Sequence, residues 1–210
     1  MNKIIRKIQY SEKVYRFDVE APLIAKSRKA GNFVIIRVDA NSERMPLTIA
    51  DADIEKGTIT LVVQKVGLSS TKLCNLNEGD EIHDVVGPLG NPTHIENFGT
   101  VLCAGGGVGV APMLPIIKAL KAAGNRVLSV IAGRSKDLVI MEDEVRASSD
   151  ELIIMTDDGS YGEKGVVTVG MEKLIQQEHI DKAFAIGPPI MMKFCCLLTQ
   201  KYNLPTDVSL

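Results

Sequence analysis

The sequence predicts a two-domain β plus α/β chain: a six-stranded antiparallel β-barrel over residues 1–98, then a parallel α/β domain over residues 99–210. Three observations carry this reading. Before residue 98, short runs rich in Val, Ile and Thr alternate with turn residues, as antiparallel strands do. Beyond it, apolar strand-like runs alternate with helical patterns, the rhythm of βαβ units. Where that second rhythm begins, VLCAGGGVGVAPMLPIIKAL (101–120) sets glycines at 105, 106, 107 and 109 between an apolar run and an amphipathic tail.

The barrel strands are KIIRKIQY, KVYRFDVE, FVIIRVD, PLTIA, TITLVVQKV and DEIHDVV, bounded by GN, DANSE, EKG and NEGD. One short helix is expected at STKLCNL, after Gly67, capped by Ser69, Ser70 or Thr71. GNPTHIENFGT (90–100) reads as the linker. The second half offers strands VLCA, RVLSVIA, ELIIMT and KAFAIG, unbroken apolar runs suited to a sheet covered on both faces. Its helices are VAPMLPIIKALKAAG, MEDEVRASS, GMEKLIQQEH and PIMMKFCCLLTQKY.

Composition removes several function classes. The 24 basic and 26 acidic residues form no block of like charge and Trp is absent, so no nucleic-acid partner is expected. Cys74, Cys103, Cys195 and Cys196 have neither metal-ligand nor disulfide-framework spacing, which predicts no metal centre and a reducing, cytoplasmic setting. The basic N-terminus lacks the apolar core of a signal peptide. No apolar run approaches the roughly 18–20 residues that span a bilayer, so no membrane association is expected. His83, His94 and His179 are scattered and predict no acid–base catalyst.

A glycine-rich turn between strand and helix is either a packing device or an anion site, because the first helical N–H groups lack partners there. The pattern departs from the dinucleotide fingerprint, since Val110 occupies the third glycine position. Three more strand ends carry polar or glycine-rich clusters: Gly133-Arg134-Ser135-Lys136, Asp157-Asp158-Gly159, and Gly187-Pro188 with Met191. Ligands of open α/β sheets bind beyond the carboxyl ends of the strands, and four such ends outline a nucleotide site. In the first half, RMPLTIAD and VVQKVGLSST stand open between an ordinary strand with a cap and a second phosphate site.

Taken with GDEIHDVVGPLG, GRSKDLVIMEDEV and TDDGSYGEKGVVT, these segments resemble the ferredoxin–NADP reductase superfamily. They are most similar to the small flavin subunits of NADH-dependent ferredoxin–NADP oxidoreductases and their relatives, the dihydroorotate dehydrogenase electron-transfer subunits. The resemblance implies FAD on the barrel, held by Arg44, Pro46, Leu47, Thr48 and Ile49, by Val62, Val63 and Gln64, and by Gly67, Ser70 and Thr71. Met45 stands before the proline where many relatives place arginine, and Arg44 is one residue earlier. It implies a nicotinamide cofactor on Gly105, Gly106, Gly107, Gly109, Ala111 and Pro112, reaching Gly187, Pro188 and Met191. NADH is expected over NADPH: Asp157 and Asp158 suit ribose hydroxyls, against Arg134 and Lys136, which suit a 2′-phosphate. It also implies a larger flavin and iron–sulfur partner in a heterodimer, a ferredoxin-like acceptor, and hydride transfer without a catalytic side chain. Relatives continue into a [2Fe–2S] segment whose ligands are missing from this chain, which is read as stopping short of it. The alternatives are the electron-transfer subunit of dihydroorotate dehydrogenase and a redox-silent nucleotide-binding regulatory subunit.

Overall fold

Alternation of inward and outward residues along the first half of the chain makes its strands the wall of a barrel. In the computed structural model, which describes residues 2–209, β1 (Asn2–Gln9), β2 (Val14–Glu20), β3 (Phe33–Arg37), β4 (Met45–Asp53), β5 (Thr58–Gln64), β6 (Glu81–Ile82) and β7 (Asp84–Leu89) form one antiparallel sheet. Its order is β6-β1-β2-β5-β4-β3-β7. The expected sixth strand is two short ones. The chain bends at His83, whose N–H bonds the Val38 carbonyl, so that β6 pairs with β1 and β7 with β3. One continuous segment thus joins both edges of the sheet and closes the barrel, leaving no long unpaired edge. Ile4, Phe17, Val19, Val34, Ile36, Ile49, Ile59, Leu61 and Leu73 fill the interior.

Two helices attach to this unit. α1 (Pro22–Ser27) was not expected, because six residues are too few to show a 3.6-residue period; its signal is Pro22 at the first helical position. α2 (Leu68–Asn75) buries Ser70, Leu73 and Cys74. The expected cap moves: Gly67, rather than Ser69, Ser70 or Thr71, is the N-cap. The Ser70 hydroxyl lies in the first turn and reaches back to accept from the N–H groups of Val66 and Gly67 at 3.0 and 2.9 Å, the return half of a capping box.

The second half forms a six-stranded parallel sheet in the order β11-β10-β9-β8-β12-β13. Its strands are β8 (Thr100–Gly106), β9 (Arg126–Gly133), β10 (Glu151–Thr156), β11 (Glu163–Lys164), β12 (Lys182–Ile186) and β13 (Thr206–Val208). They alternate with α3 (Val110–Ala122), α4 (Glu142–Ser148), α5 (Val167–Gln177) and α6 (Pro189–Lys201). Residues of α5 and α6, among them Met171, Leu174, Cys195 and Leu198, pack on Leu102, Ala104, Leu128 and Val130 of the sheet. From β8 the order runs one way to β9 and β10 and the other way to β12, so it reverses at the β8/β12 boundary.

The chain divides into Met1–Thr93 and His94–Leu210, five residues before the join expected at 98. The cause is the buried Asn125. Its Oδ1 accepts from the N–H groups of Phe98 and Gly99, and its Nδ2 donates to the carbonyls of Glu96 and Leu120. Residues 96–99 are thereby fastened to the second unit.

Asp150 at the entry of β10 accepts from Lys121 Nζ at 2.6 Å and from the Val127 N–H at 2.8 Å. These bonds hold its carboxyl below the usual carboxylate range. A depressed carboxylate stabilises the fold at neutral pH and loses that contribution as pH falls through its folded-state value. Asp150→Asn is therefore expected to cost about 1 kcal/mol at pH 7 and nearly nothing near pH 2, which thermal melts at both pH values will show.

Candidate functional site

Strand order reverses between β8 and β12, and ligands of such sheets bind beyond the carboxyl ends of the strands at such a point. The glycine segment lies there, and its four glycines serve two purposes. β8 runs on through Gly105 and Gly106, a 3₁₀ turn covers Gly107–Gly109, and α3 follows directly, with Ala111 and Pro112 in its first turn. A Cβ on Gly109 would stand 2.5 Å from the Ile186 carbonyl oxygen and 2.7 Å from Gly187 Cα. On Gly105 it would press on Val110, and on Gly106 it would collide with the Met191 sulfur. At Gly187 it would meet Met191 Sδ at 2.8 Å. These four glycines let the β8–α3 turn pack on the start of α6, with the Met191 thioether clasped between Gly106 and Gly187. Gly107 differs: φ is +55°, and nothing lies within 4 Å of where its Cβ would be. It is the glycine whose bare backbone faces open space at the amino end of α3, where partnerless N–H groups and the helix dipole favour an anion.

The neighbouring strand ends join the same carboxyl edge. Asp157 N–H bonds the Gly133 carbonyl and Asp158 N–H bonds that of Arg134, at 3.1 and 3.2 Å, so the two charged clusters are held side by side. Asp158 also serves its own turn: the Ser160 hydroxyl, with the Ser160 N–H from which it accepts at 2.9 Å, keeps its carboxyl below the ordinary range. Gly159 follows in that turn. Lys136 lays its ammonium 5.3 Å from the centre of the Tyr161 ring, and the Tyr161 hydroxyl donates to Glu142.

In the barrel unit, alternation separates the expected flavin residues. Leu47, Ile49 and Val63 point into the core, and Met45 packs against it. Pro46, Thr48, Val62 and Gln64 take the outward positions, where a ligand can meet their side chains. Pro46 pairs with Ile35, and Ile35 with Val86, so β4, β3 and β7 present an apolar row on the outside of the barrel. Ile35 and Val86 are absent from the expected residues; for Ile35 the available signal is that FVIIR is apolar on both faces. Arg44 is exposed just before β4. The loop that carries it is moored to α2 by Lys72, which reaches Asp39 at 3.0 Å and the Ser42 hydroxyl at 3.4 Å. At the start of α2, Gly67 is open on its Cβ side, Thr71 N–H bonds its carbonyl, and Leu68, Ser69 and Ser70 present N–H groups without intrahelical acceptors. Ser70 offers a ligand its N–H only, its hydroxyl being spent on the cap.

The cysteines stand apart from this chemistry. Cys103, three residues before Gly106, is wholly buried, and burial pushes its thiol far up. Burial likewise pushes Cys195 up to about 12, while Cys74 is buried and raised for the same reason. Cys196 is partly exposed. A thiol reagent at pH 8 is therefore expected to label one cysteine rapidly, Cys196, and the other three only on unfolding; rapid labelling of Cys103 would show that the glycine turn opens. Among the described residues no group of His, Cys, Asp and Glu could hold a metal ion, and no helix is long and apolar enough to cross a membrane. His94 pairs with Glu96 and His179 with Asp181, both on the surface.

A barrel followed by a parallel α/β unit with a glycine turn at the switch point defines the ferredoxin reductase-like class. Solved structures agree. A chain of the NADH-dependent reduced ferredoxin–NADP oxidoreductase superposes with a TM-score of 0.95 at 45% identity, over 100% of this chain and 76% of that one. The cytochrome b5 reductase domain of Ulva prolifera nitrate reductase shares the fold at 0.78 and 19% identity, covering 99% and 96%. No protein-family model matches. A Thermotoga maritima protein named as a homolog of the dihydroorotate dehydrogenase B (NAD(+)) electron transfer subunit is 48% identical over 210 residues, 100% of this chain and 74% of the relative. The electron transfer subunit of Streptococcus pneumoniae strain R6 is 32% identical over 197 residues, covering 91% and 75%. The chain belongs to the family of dihydroorotate dehydrogenase B electron transfer subunits and their homologues.

Proposed function

We propose that the chain is an FAD-dependent, NADH-oxidising electron-transfer subunit. FAD is assigned to the outer face of the barrel around Pro46 and Thr48, with its pyrophosphate at the start of α2. The nicotinamide cofactor is assigned to the crevice between Gly107 and Gly187-Pro188. The observation that carries this is Gly107, a left-handed glycine with an open face at a helix start on the switch point. When bound, the flavin supplies the chemistry, taking a hydride from the nicotinamide and passing electrons on singly. The protein's share is to hold phosphates on helix N–H groups, and no side chain is assigned as acid or base.

NADH is favoured because Asp157 and Asp158 are held beside Gly133 and Arg134 on this edge, where carboxylates accept from ribose hydroxyls. The proposed partner is a larger flavin and iron–sulfur subunit. The names of the 32–48% identical relatives support a second reading of the partner, a dihydroorotate-oxidising subunit, and co-purification distinguishes the two.

The test is an anaerobic absorbance spectrum of the FAD-reconstituted chain before and after stoichiometric NADH or NADPH. The expected result is flavin absorbance that bleaches faster with NADH, a preference that narrows in Asp157→Ser. Faster bleaching with NADPH would transfer the role to Arg134 and Lys136. Failure to retain FAD would overturn the barrel assignment and favour a redox-silent nucleotide-binding subunit.

A further inference from the structure

Met191, in the first turn of α6, fills a seam between two backbone segments of the α/β unit. A Cβ built on Gly187 would meet its Sδ at 2.8 Å and its Cε at 2.7 Å, and one built on Gly106 would collide with the same sulfur. The thioether therefore rests on bare backbone of the β8–α3 turn on one side and of the β12–α6 turn on the other. It also packs against the apolar cluster that includes Leu102, Ala104, Cys195 and Leu198. Yet the residue is partly exposed. Among the described methionines, Met113, Met141, Met155, Met171 and Met192 are buried, and Met45, on the barrel, is the other one that solvent reaches.

We propose that Met191 is a modification site for hydrogen peroxide, and that its sulfoxide parts the glycine turn from the start of α6. The sulfur attacks one peroxide oxygen. The O–O bond breaks and an S–O bond forms, while the proton on the transferred oxygen passes to the leaving hydroxide and gives water. The thioether loses two electrons and the peroxide gains them, leaving a polar side chain in place of an apolar one. The seat has no room for it. Two Cβ atoms are absent there so that the sulfur can enter, and an added oxygen claims the space those glycines leave. Held against the apolar side of the seat, that oxygen goes unpaired, a cost that opening of the turn relieves. The turn carries Gly107 and the start of α3, so nucleotide binding falls with it; that step rests on the function proposed above, the modification itself does not. Oxygen takes electrons from reduced flavins to give hydrogen peroxide, so a flavoprotein of the proposed kind meets this oxidant in its own turnover.

The test uses the FAD-loaded chain carrying Cys196→Ser, which removes the partly exposed thiol. It is treated with hydrogen peroxide and followed by peptide mass spectrometry, thermal melting and the NADH dependence of ferricyanide reduction. Expected are one added oxygen on Met191 in the native protein, a Tm lower by about 5 °C or more, and a KM for NADH raised about tenfold or more. Methionine sulfoxide reductases specific for the two epimers reverse all three changes. Met191→Leu keeps an apolar filler without an oxidisable sulfur, and peroxide is expected to leave its own Tm and KM where they were. Met45→Leu responds to peroxide as its parent does. Oxygen uptake at Met191 only after unfolding, a Tm and KM unmoved by complete oxidation, or a loss that persists in Met191→Leu would overturn the proposal. If the untreated chain does not oxidise NADH, the function proposed above falls, and the mass shift, the melting and their reversal still decide the modification site.

Discussion

Asn125→Ala is expected to unfold the α/β unit at temperatures where the wild type is fully native. The side chain is buried and uses its whole hydrogen-bonding capacity, two bonds accepted by Oδ1 and two donated by Nδ2. Alanine leaves the N–H groups of Phe98 and Gly99 and the carbonyls of Glu96 and Leu120 without that partner. A buried polar group stripped of its bond costs about 1–3 kcal/mol, while a paired one contributes only about 1. Part of the strip can rehydrate, so a loss of about 3–5 kcal/mol is expected, a large share of the roughly 5–15 kcal/mol that holds an ordinary domain. Asn125→Asp keeps the acceptor but not the two donations, and is expected to fall between. Chemical denaturation of all three proteins measures the series; equal midpoints would show that residues 96–99 are held by something else.

Asn125 also marks the limit of what could be read from the chain. Element types were legible almost throughout, because strand alternation and helical period are local signals: every expected strand and helix of the second half has its counterpart in the structure. The closed barrel was legible as a class, but the break of its last strand at His83 was not. That break depends on which edges the two halves meet, a pairing invisible in DEIHDVV. Caps were half legible. The hydroxyl at Ser70 was recognised as a capping group, but whether it caps forward or reaches back depends on where the first turn begins, one to three residues that composition does not fix.

The glycine run shows the same division between chemistry and geometry. Its position after a strand and before a helix identified a place where backbone must be bare. Three of its members turn out to face their own protein, Gly105 at the nearby Val110, Gly106 at Met191 and Gly109 at the 186–187 backbone; the last two are contacts between segments some 80 residues apart that no local pattern records. The barrel face proposed for the flavin behaves likewise. Alternation along TITLVVQ already implies that neighbouring residues cannot all face one ligand, and the structure sends Val63 inward while Val62 and Gln64 stay at outward positions. Ile35 and Val86 join the outward row of Pro46, a placement hidden in the sequence because apolar residues in a strand read as core until the pairing shows which side is outside.

Two substitutions two residues apart separate the glycine proposed to face the cofactor from the ones that pack against the protein. Gly109→Ala is expected to damage the fold, because its methyl group would press into the Ile186 carbonyl and Gly187 Cα, backbone that can yield only by parting β12 from the β8–α3 turn. Overpacking against backbone in a core of this density costs about 3 kcal/mol or more, a fall in Tm of more than about 10 °C for a unit this size. At Gly107→Val the added Cβ has no neighbour within 4 Å, and the main cost is the strain of a β-branched residue at φ +55°, about 1–2 kcal/mol. Its side chain nonetheless occupies the open face at the start of α3, so NADH binding is expected to be lost while FAD binding and the flavin spectrum remain. Gly106→Ala lies between, since the obstacle is the flexible Met191 thioether, and pairing it with Met191→Ala should restore stability. Calorimetric Tm values together with NADH titrations of the reconstituted proteins decide the matter. If Gly107→Val binds NADH as the wild type does, the open face is not the phosphate cradle. If Gly109→Ala proves as stable as wild type, the β8–α3 turn is not fixed against β12, and the crevice itself must be redrawn.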